Sequence, residues 1–206
     1  MSGEGRDDPD IREACDARDY DRAASVAISR YGGELLAFVS ARLRSVADGE
    51  DVFAIFAEKL WLGLPQFEWR CSLRSWCYRL ARNAANDYLS LARHRRELNI
   101  APEAQARLSQ LVEHVRTNTR AYLKTAVKDR MTELRETLAP DDQMLLILRV
   151  DRGMAWRDLA VALSDGSDVG AAPSDAELEK EAARLRKRFE RVKDQLRELA
   201  RADGLL

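Results

Sequence analysis

The stretch LRSWCYRLARNAANDYLSL occupies residues 73–91 and decides the fold class. Its apolar side chains recur every three or four residues, the period of an α-helix that buries one face. The members of that face are Leu73, Trp76, Cys77, Leu80, Ala84, Tyr88 and Leu91. Because no stretch alternates apolar and polar residues as a β-strand would, the pattern predicts an all-α protein.

The same period extends toward the N-terminus. Three apolar stripes lie between Tyr20 and Trp61, with helix breaks expected at Gly32-Gly33 and Asp48-Gly49. A non-periodic loop over residues 66–72 precedes the quoted helix. Residues 1–17 have no apolar period, so we expect them to be disordered.

The C-terminal part holds a candidate helix-turn-helix. A short helix is predicted over residues 155–163, and a loop rich in Gly, Asp and Ala follows it. Ser174 and Glu177 have the spacing of a capping box, which predicts a helix start. The last helix is basic and amphipathic, as expected of a helix that enters the major groove.

These segments predict two helical domains, and the C-terminal one is the helix-turn-helix. The first domain spans residues 18–96 and the second spans residues 125–206. A linker helix over residues 97–124 is predicted to join them.

The charged residues indicate a polyanion bound at two places. The chain has 206 residues and a net charge of −1, so its overall charge favours no partner. Residues 70–96, however, hold seven arginines against one acid, and residues 184–197 hold seven basic residues against two acids. Basic segments of this kind are typical of nucleic-acid-binding surfaces. Solvated helix faces are the alternative interpretation.

Several other classes of site are disfavoured. Cys15, Cys71, Cys77, His94 and His114 lack metal-ligand spacing, so free thiols and no metal or cofactor are predicted. No phosphate-binding loop, metalloprotease motif or glycine-flanked serine suggests an enzyme. The N-terminus does not resemble a signal peptide and no apolar run reaches about 20 residues, so a cytoplasmic location is expected.

Arginines alternate with aromatic residues between Phe67 and Asn83. Cationic side chains follow phosphates while aromatic faces accept unstacked bases, so this stretch favours single-stranded DNA. Trp76 shares the apolar helix face and is predicted to be core. Trp69 lies in the loop and is the better candidate for contact with a base.

The order of these motifs resembles the second conserved region of bacterial sigma factors of the extracytoplasmic-function type. The matching motifs are Asp48-Gly-Glu-Asp51, Trp61, Leu73-Arg-Ser-Trp76, Arg82-Asn83, Asp87 and Arg93-His-Arg-Arg96. Further along, other motifs resemble the fourth region of the same family: Leu138-Ala-Pro140, Leu146-Ile-Leu-Arg149, Asp158-Leu-Ala160 and Leu185-Arg-Lys-Arg-Phe-Glu-Arg191.

The resemblance implies a subunit that binds core RNA polymerase and promoter DNA. It implies polymerase contacts at Asp51, Ile55, Glu58 and Trp61. For the −10 element it implies contacts at Trp69, Arg70, Ser72, Arg74, Arg79, Arg82, Asn83, Arg93, Arg95 and Arg96. For the −35 element it implies contacts at Arg184, Arg186, Lys187, Arg188 and Arg191.

Two points stay open at this stage. A stand-alone helix-turn-helix regulator is the alternative function, and the sequence does not decide whether an anti-sigma factor also binds the chain. The segment from Ser164 to Ala182 departs from the family because it is inserted and acidic at its end. We therefore expect the last helix either to begin near Ala182 or to turn its acidic end away from DNA.

Overall fold

The computed structural model describes residues 8–90, 130–164 and 173–206. These residues form helices and no strand, which confirms the all-α prediction. The helices are α1 (Pro9–Asp16), α2 (Tyr20–Leu43), α3 (Val46–Gly63), α4 (Leu73–Ser90), α5 (Arg130–Glu136), α6 (Pro140–Leu146), α7 (Trp156–Ala162) and α8 (Asp175–Ala202). The predicted linker over residues 97–124 lies outside the described residues.

Helix α1 corrects the expectation of disorder for residues 8–17, whereas residues 1–7 lie outside the described residues. Its apolar residue Ile11 is fully buried against α2. Asp8, just before the helix, is buried and accepts a hydrogen bond of 2.6 Å from the Tyr31 hydroxyl of α2. This short amphipathic helix is thus ordered because α2 offers it both an apolar surface and a polar partner.

Both predicted breaks in the next helices are wrong. Helix α2 runs through Gly32-Gly33, because tertiary packing of its buried face outweighs the cost of about 1 kcal/mol for each glycine. The chain instead turns at Arg44, which has φ 52°, and Ser45 caps α3 by accepting from the Asp48 amide. Asp48-Gly49 therefore lies in the first turns of α3 rather than between helices.

Gly49 allows α2 and α3 to cross closely. A Cβ at this position would lie 2.2 Å from Ser40 Oγ and 2.8 Å from Ser40 Cα. Helix α4 packs against α3 and α2, and its predicted core face is confirmed. Its residues Leu73, Trp76, Leu80 and Ala84 are at most 3% exposed.

The second part of the chain packs directly on the first. Buried residues of α6 and α7, including Met144 and Leu159, belong to one continuous apolar cluster with those of α2–α4. Polar contacts border this interface: Arg42 of α2 pairs with Asp141 of α6 at 2.9 Å, and Arg44 donates to the Leu138 carbonyl at 3.1 Å. The two predicted domains are therefore in contact in this structure, and the boundary between them stays a prediction.

Candidate nucleic-acid interface

The loop before α4 is built around stacked aromatic rings. Phe67 stacks on the buried ring of Trp76 with centroids 4.6 Å apart, and Trp69 lies 4.9 Å from Phe67. The guanidinium of Arg12 covers Trp69 at 5.3 Å from its ring centroid. Trp69 has φ 57°, a conformation that costs a non-glycine residue about 1–3 kcal/mol and is often found at functional sites. The half-buried indole is thus contacted by both Phe67 and Arg12.

The arginines of α4 are engaged within the protein. Arg74 donates from both Nε and Nη2 to Glu34 at 2.8 Å, and this carboxylate raises the pKa of the guanidinium. Arg79 is only 3% exposed, so it cannot reach a DNA strand in this arrangement. Arg82 is half-buried and donates to the Ser164 carbonyl at 3.2 Å.

The remaining residues predicted at the −10 site differ in exposure. Arg70 is exposed and pairs with Glu68 at 2.8 Å. Ser72 is buried and its hydroxyl is 2.7 Å from that of Ser75, while Asn83 is half-buried. Arg93, Arg95 and Arg96 lie outside the described residues.

Helix α8 begins at Asp175, so the expected start near Ala182 is wrong. The predicted capping box is confirmed: Ser174 accepts from the Glu177 amide, and Glu177 accepts from the Ser174 amide at 2.8 Å. The Ser174 hydroxyl also donates to this carboxylate and lowers the pKa of Glu177. The acidic residues thus form the first turns of the helix, and Asp175 pairs with Arg157 of α7.

The basic residues of α8 fall into two groups. Arg188 is half-buried and donates to Asp142 at 2.6 Å, and Arg184 is exposed and pairs with Glu181 at 3.4 Å. Arg186, Lys187 and Arg191 are exposed. Among the residues that the structure describes, only Arg186, Lys187 and Arg191 of the predicted −35 surface present their charge to solvent without a carboxylate partner.

One groove brings together residues predicted for the two promoter elements. Its volume is about 940 Å³, and Arg82 of α4 lines it together with Arg184, Arg188 and Arg191 of α8. The sequence analysis placed these residues on separate DNA surfaces. The structure places them across a single opening.

The predicted polymerase contacts share one side of α3. Asp51 is exposed, whereas Ile55, Glu58 and Trp61 are half-buried. The Trp61 indole donates to Asp21 of α2 at 2.7 Å, which fixes its orientation. Burial raises the pKa of Glu58 because the charged carboxylate is less solvated there.

Sequence analysis assigned no role to Arg12, Arg149 or Trp156. Arg12 was overlooked because its segment was taken as disordered. Arg149 and Trp156 lie at helical ends with no periodic signal, and only the fold brings them to Arg186 of α8. The Arg149 carbon Cζ lies 4.8 Å and the Arg186 Cζ 5.7 Å from the Trp156 ring centroid.

Comparison with known families bears on α2–α4 in particular. Residues 27–96 match the family described as Sigma-70 region 2. This part of the chain is similar to sigma-70 region 2. Region 2 indicates a transcription initiation factor rather than a member of a catalytic enzyme family.

The family match covers about a third of the chain. No curated protein matches the chain, and no solved structure matches it. Among the described residues, no helix combines the length and apolar character needed to cross a membrane.

Proposed function

We propose that this protein is a sigma factor of the extracytoplasmic-function type that binds core RNA polymerase in the cytoplasm and directs it to promoters. The observation that carries the proposal is the region 2 match over residues 27–96. That match contains both the exposed side of α3 and the aromatic loop before α4. In this proposal, α3 binds the polymerase and the loop binds the −10 element.

The aromatic loop supports the assignment to single-stranded DNA. Phe67 already orients the Trp69 ring, so little side-chain entropy is lost when Arg12 moves off this ring and a base stacks on it. Stacking of one base contributes about 1–3 kcal/mol. The exposed Arg70 beside it supplies a cation for a neighbouring phosphate.

The α7–α8 pair supports a second contact, with duplex DNA at the −35 element. Leu159 and Ala160 of α7 are buried in the same core as Leu178 and Leu185 of α8. This packing leaves Arg186, Lys187 and Arg191 on the outer side of a 28-residue helix. In this proposal the pair acts as a helix-turn-helix, whose second helix enters the major groove.

Promoter binding requires the two parts to separate. The −10 and −35 elements lie about 25 base pairs apart, or roughly 85 Å along the duplex at about 3.4 Å per base pair. Arg82 and Arg184 line the same groove here and cannot reach both elements at once. We therefore propose that polymerase binding opens the contact between α6–α7 and region 2, and that the two DNA contacts then reinforce each other.

Co-elution with core polymerase and run-off transcription on genomic fragments test this function. We expect a stable complex, with start sites that share an upstream motif. Asp51→Arg should weaken the complex, whereas Glu13→Arg, an equal charge reversal at an exposed position of α1, should not. Duplex binding without polymerase, together with no co-elution, would instead establish a stand-alone regulator.

A further inference from the structure

The groove between α4 and α8 is large enough to hold a small molecule. Its volume of about 940 Å³ falls within the range of about 300–1,000 Å³ that is common for ligand sites. Arg82 lines it from α4 and the opposite wall is α8, so the groove lies where the two parts of the chain meet. Ligand sites are frequent at junctions of this kind. A second cavity, of about 450 Å³, lies beside it and shares Arg184, Arg188 and Arg191.

One wall of the groove is a row of cations on α8. Lys180, Arg184, Lys187 and Arg191 follow one another at intervals of three or four residues, so they share one face of the helix. At 1.5 Å per residue, this row is roughly 16 Å long. Its length suits a ligand that carries several negative groups rather than a single small anion.

The acidic residues of the groove are already engaged within the protein. Asp141 pairs with Arg42 of α2 at 2.9 Å, and Glu181 pairs with Arg184 at 3.4 Å. The Glu177 carboxylate accepts from the backbone amide and the hydroxyl of the residue that caps α8. Lys180, Lys187 and Arg191 are exposed, and within the described ranges none of them has a carboxylate partner.

Apolar side chains lie beside this row of cations. Met144 of α6 and Leu163, which follows α7, line the groove together with Leu178 of α8. An apolar surface next to cations suits a ligand with an apolar or aromatic body and a phosphate chain. Duplex DNA does not fit this arrangement, because α4 stands opposite α8 and prevents α8 from entering a major groove about 12 Å wide. The occupant of the closed form is therefore a small molecule.

We propose that the groove binds a nucleoside polyphosphate, which holds the two parts of the chain together. The phosphates bind Lys180, Lys187 and Arg191 through charge-assisted hydrogen bonds, and the base packs against Met144. Because Arg82 and α8 line one groove only while the two parts are in contact, this ligand favours the closed form. The regulatory consequence rests on the proposed function: the nucleotide opposes the separation that promoter binding requires. The binding itself does not depend on that function.

The first experiment uses the full chain without polymerase and ATP as the probe. Calorimetric titration should show saturable binding of one ATP per chain, with a Kd below about 1 mM. The absence of polymerase matters because nucleoside triphosphates are also its substrates. Adenosine, which lacks the phosphates, and inorganic triphosphate, which lacks the base, should each bind more weakly than ATP.

The second experiment measures the closed form directly. Arg44→Ala removes the hydrogen bond to the Leu138 carbonyl that joins α2 to the second part, which raises the population of the open form. In this background, energy transfer between fluorophores on α3 and α8 reports the closed fraction. At ATP concentrations of about 100 times the Kd, the ratio of closed to open chains should rise by up to about 100-fold.

Lys180→Gln and Arg201→Gln form a matched pair of variants. Each removes one exposed positive charge from α8, but Lys180 lines the groove and Arg201 does not. We expect Lys180→Gln to weaken ATP binding about three- to fivefold and Arg201→Gln to leave it unchanged. Thermal melting checks that both variants are folded.

Three results would overturn the nucleotide site. The first is the absence of saturable ATP binding, and the second is an equal loss of affinity in Lys180→Gln and Arg201→Gln. The third is a closed fraction that ATP leaves unchanged, which would make the bound nucleotide an adventitious anion on a basic helix. Inorganic triphosphate that binds as tightly as ATP would also exclude a nucleoside ligand. Failure to co-elute with core polymerase would overturn only the proposed function, since none of these measurements contains polymerase.

Discussion

Arg42 of α2 donates from Nη1 to Asp141 of α6 at 2.9 Å and from Nη2 to Asn86 of α4 at 2.7 Å. One side chain, only 11% exposed, thereby links α2 and α4 to α6. Its position at the border of the shared apolar core makes it a contact that must break if the two parts separate.

Weakening this link should favour the open form. Asp141→Asn removes the charge that pairs with Arg42, and a partly exposed ion pair contributes up to about 1 kcal/mol. We expect the open fraction of the free chain to rise about two- to fivefold. Distance distributions between fluorophores on α3 and α8 would measure it, with Asp194→Asn as the control. An unchanged distribution would show that the apolar contact alone holds the parts together.

Gly49 should be intolerant of any side chain. Gly49→Ala places a Cβ 2.2 Å from Ser40 Oγ, so α2 and α3 must move apart or distort. We expect a loss of about 1–3 kcal/mol in the free energy of unfolding, as for other overpacked contacts. Urea denaturation would measure it, and Ser40→Gly in the same background should recover part of the loss. A neutral Gly49→Ala would mean that the helices adjust without strain.

Trp69 should matter for DNA binding more than for folding. Trp69→Ala removes the stacking face, and we expect binding of a single-stranded −10 oligonucleotide by the holoenzyme to weaken by about 1–3 kcal/mol. Trp69→Phe should retain most of the binding. Trp69→Gly should be no less stable than Trp69→Ala, because glycine accepts the positive φ of 57° without strain. Equal oligonucleotide binding by all four proteins would remove Trp69 from the site.

Glu58 should give α3 a pH-dependent stability. Burial raises the pKa of this carboxyl from its usual 4.5, so the folded protein disfavours the charged form. The cost is absent below the unfolded pKa, grows as pH rises from the unfolded pKa to the folded pKa, and is fully present above the folded pKa. Glu58→Gln should therefore raise the free energy of unfolding at pH 7, with the gain vanishing near pH 4. Urea titrations at both pH values test this, and a gain that does not depend on pH would contradict it.

The acidic start of α8 should weaken duplex binding by the free chain. Glu177→Gln keeps the capping geometry, since glutamine also serves in a capping box, and Glu179→Gln changes an exposed residue. We expect the double variant to bind a −35 duplex more tightly, and the gain to shrink as salt increases. Electrophoretic mobility shifts at two salt concentrations measure it. Glu198→Gln, near the other end of α8, is the control, and an equal gain there would point to net charge alone.

Local patterns in the sequence predicted the core face of one helix and the start of another. The apolar face of Leu73–Ser90 and the capping box of Ser174 were predicted correctly because both depend on residues within a few positions of each other. The same local reasoning failed at Gly32-Gly33 and at Pro9–Asp16. At both places the decisive free energy comes from packing against another helix. Helix α2 is buried against α3, and α1 is buried against α2, where Tyr31 donates to Asp8.

The state of the charged residues was decided by tertiary structure. The sequence by itself determined that Arg74, Arg79 and Arg188 stand on amphipathic helices in two basic segments. Only the fold pairs Arg74 with Glu34, buries Arg79 and pairs Arg188 with Asp142. It also brings Arg149 and Arg186 to one indole ring. Helical period is a property of neighbouring residues, whereas the partner of a charge depends on which distant helix packs beside it.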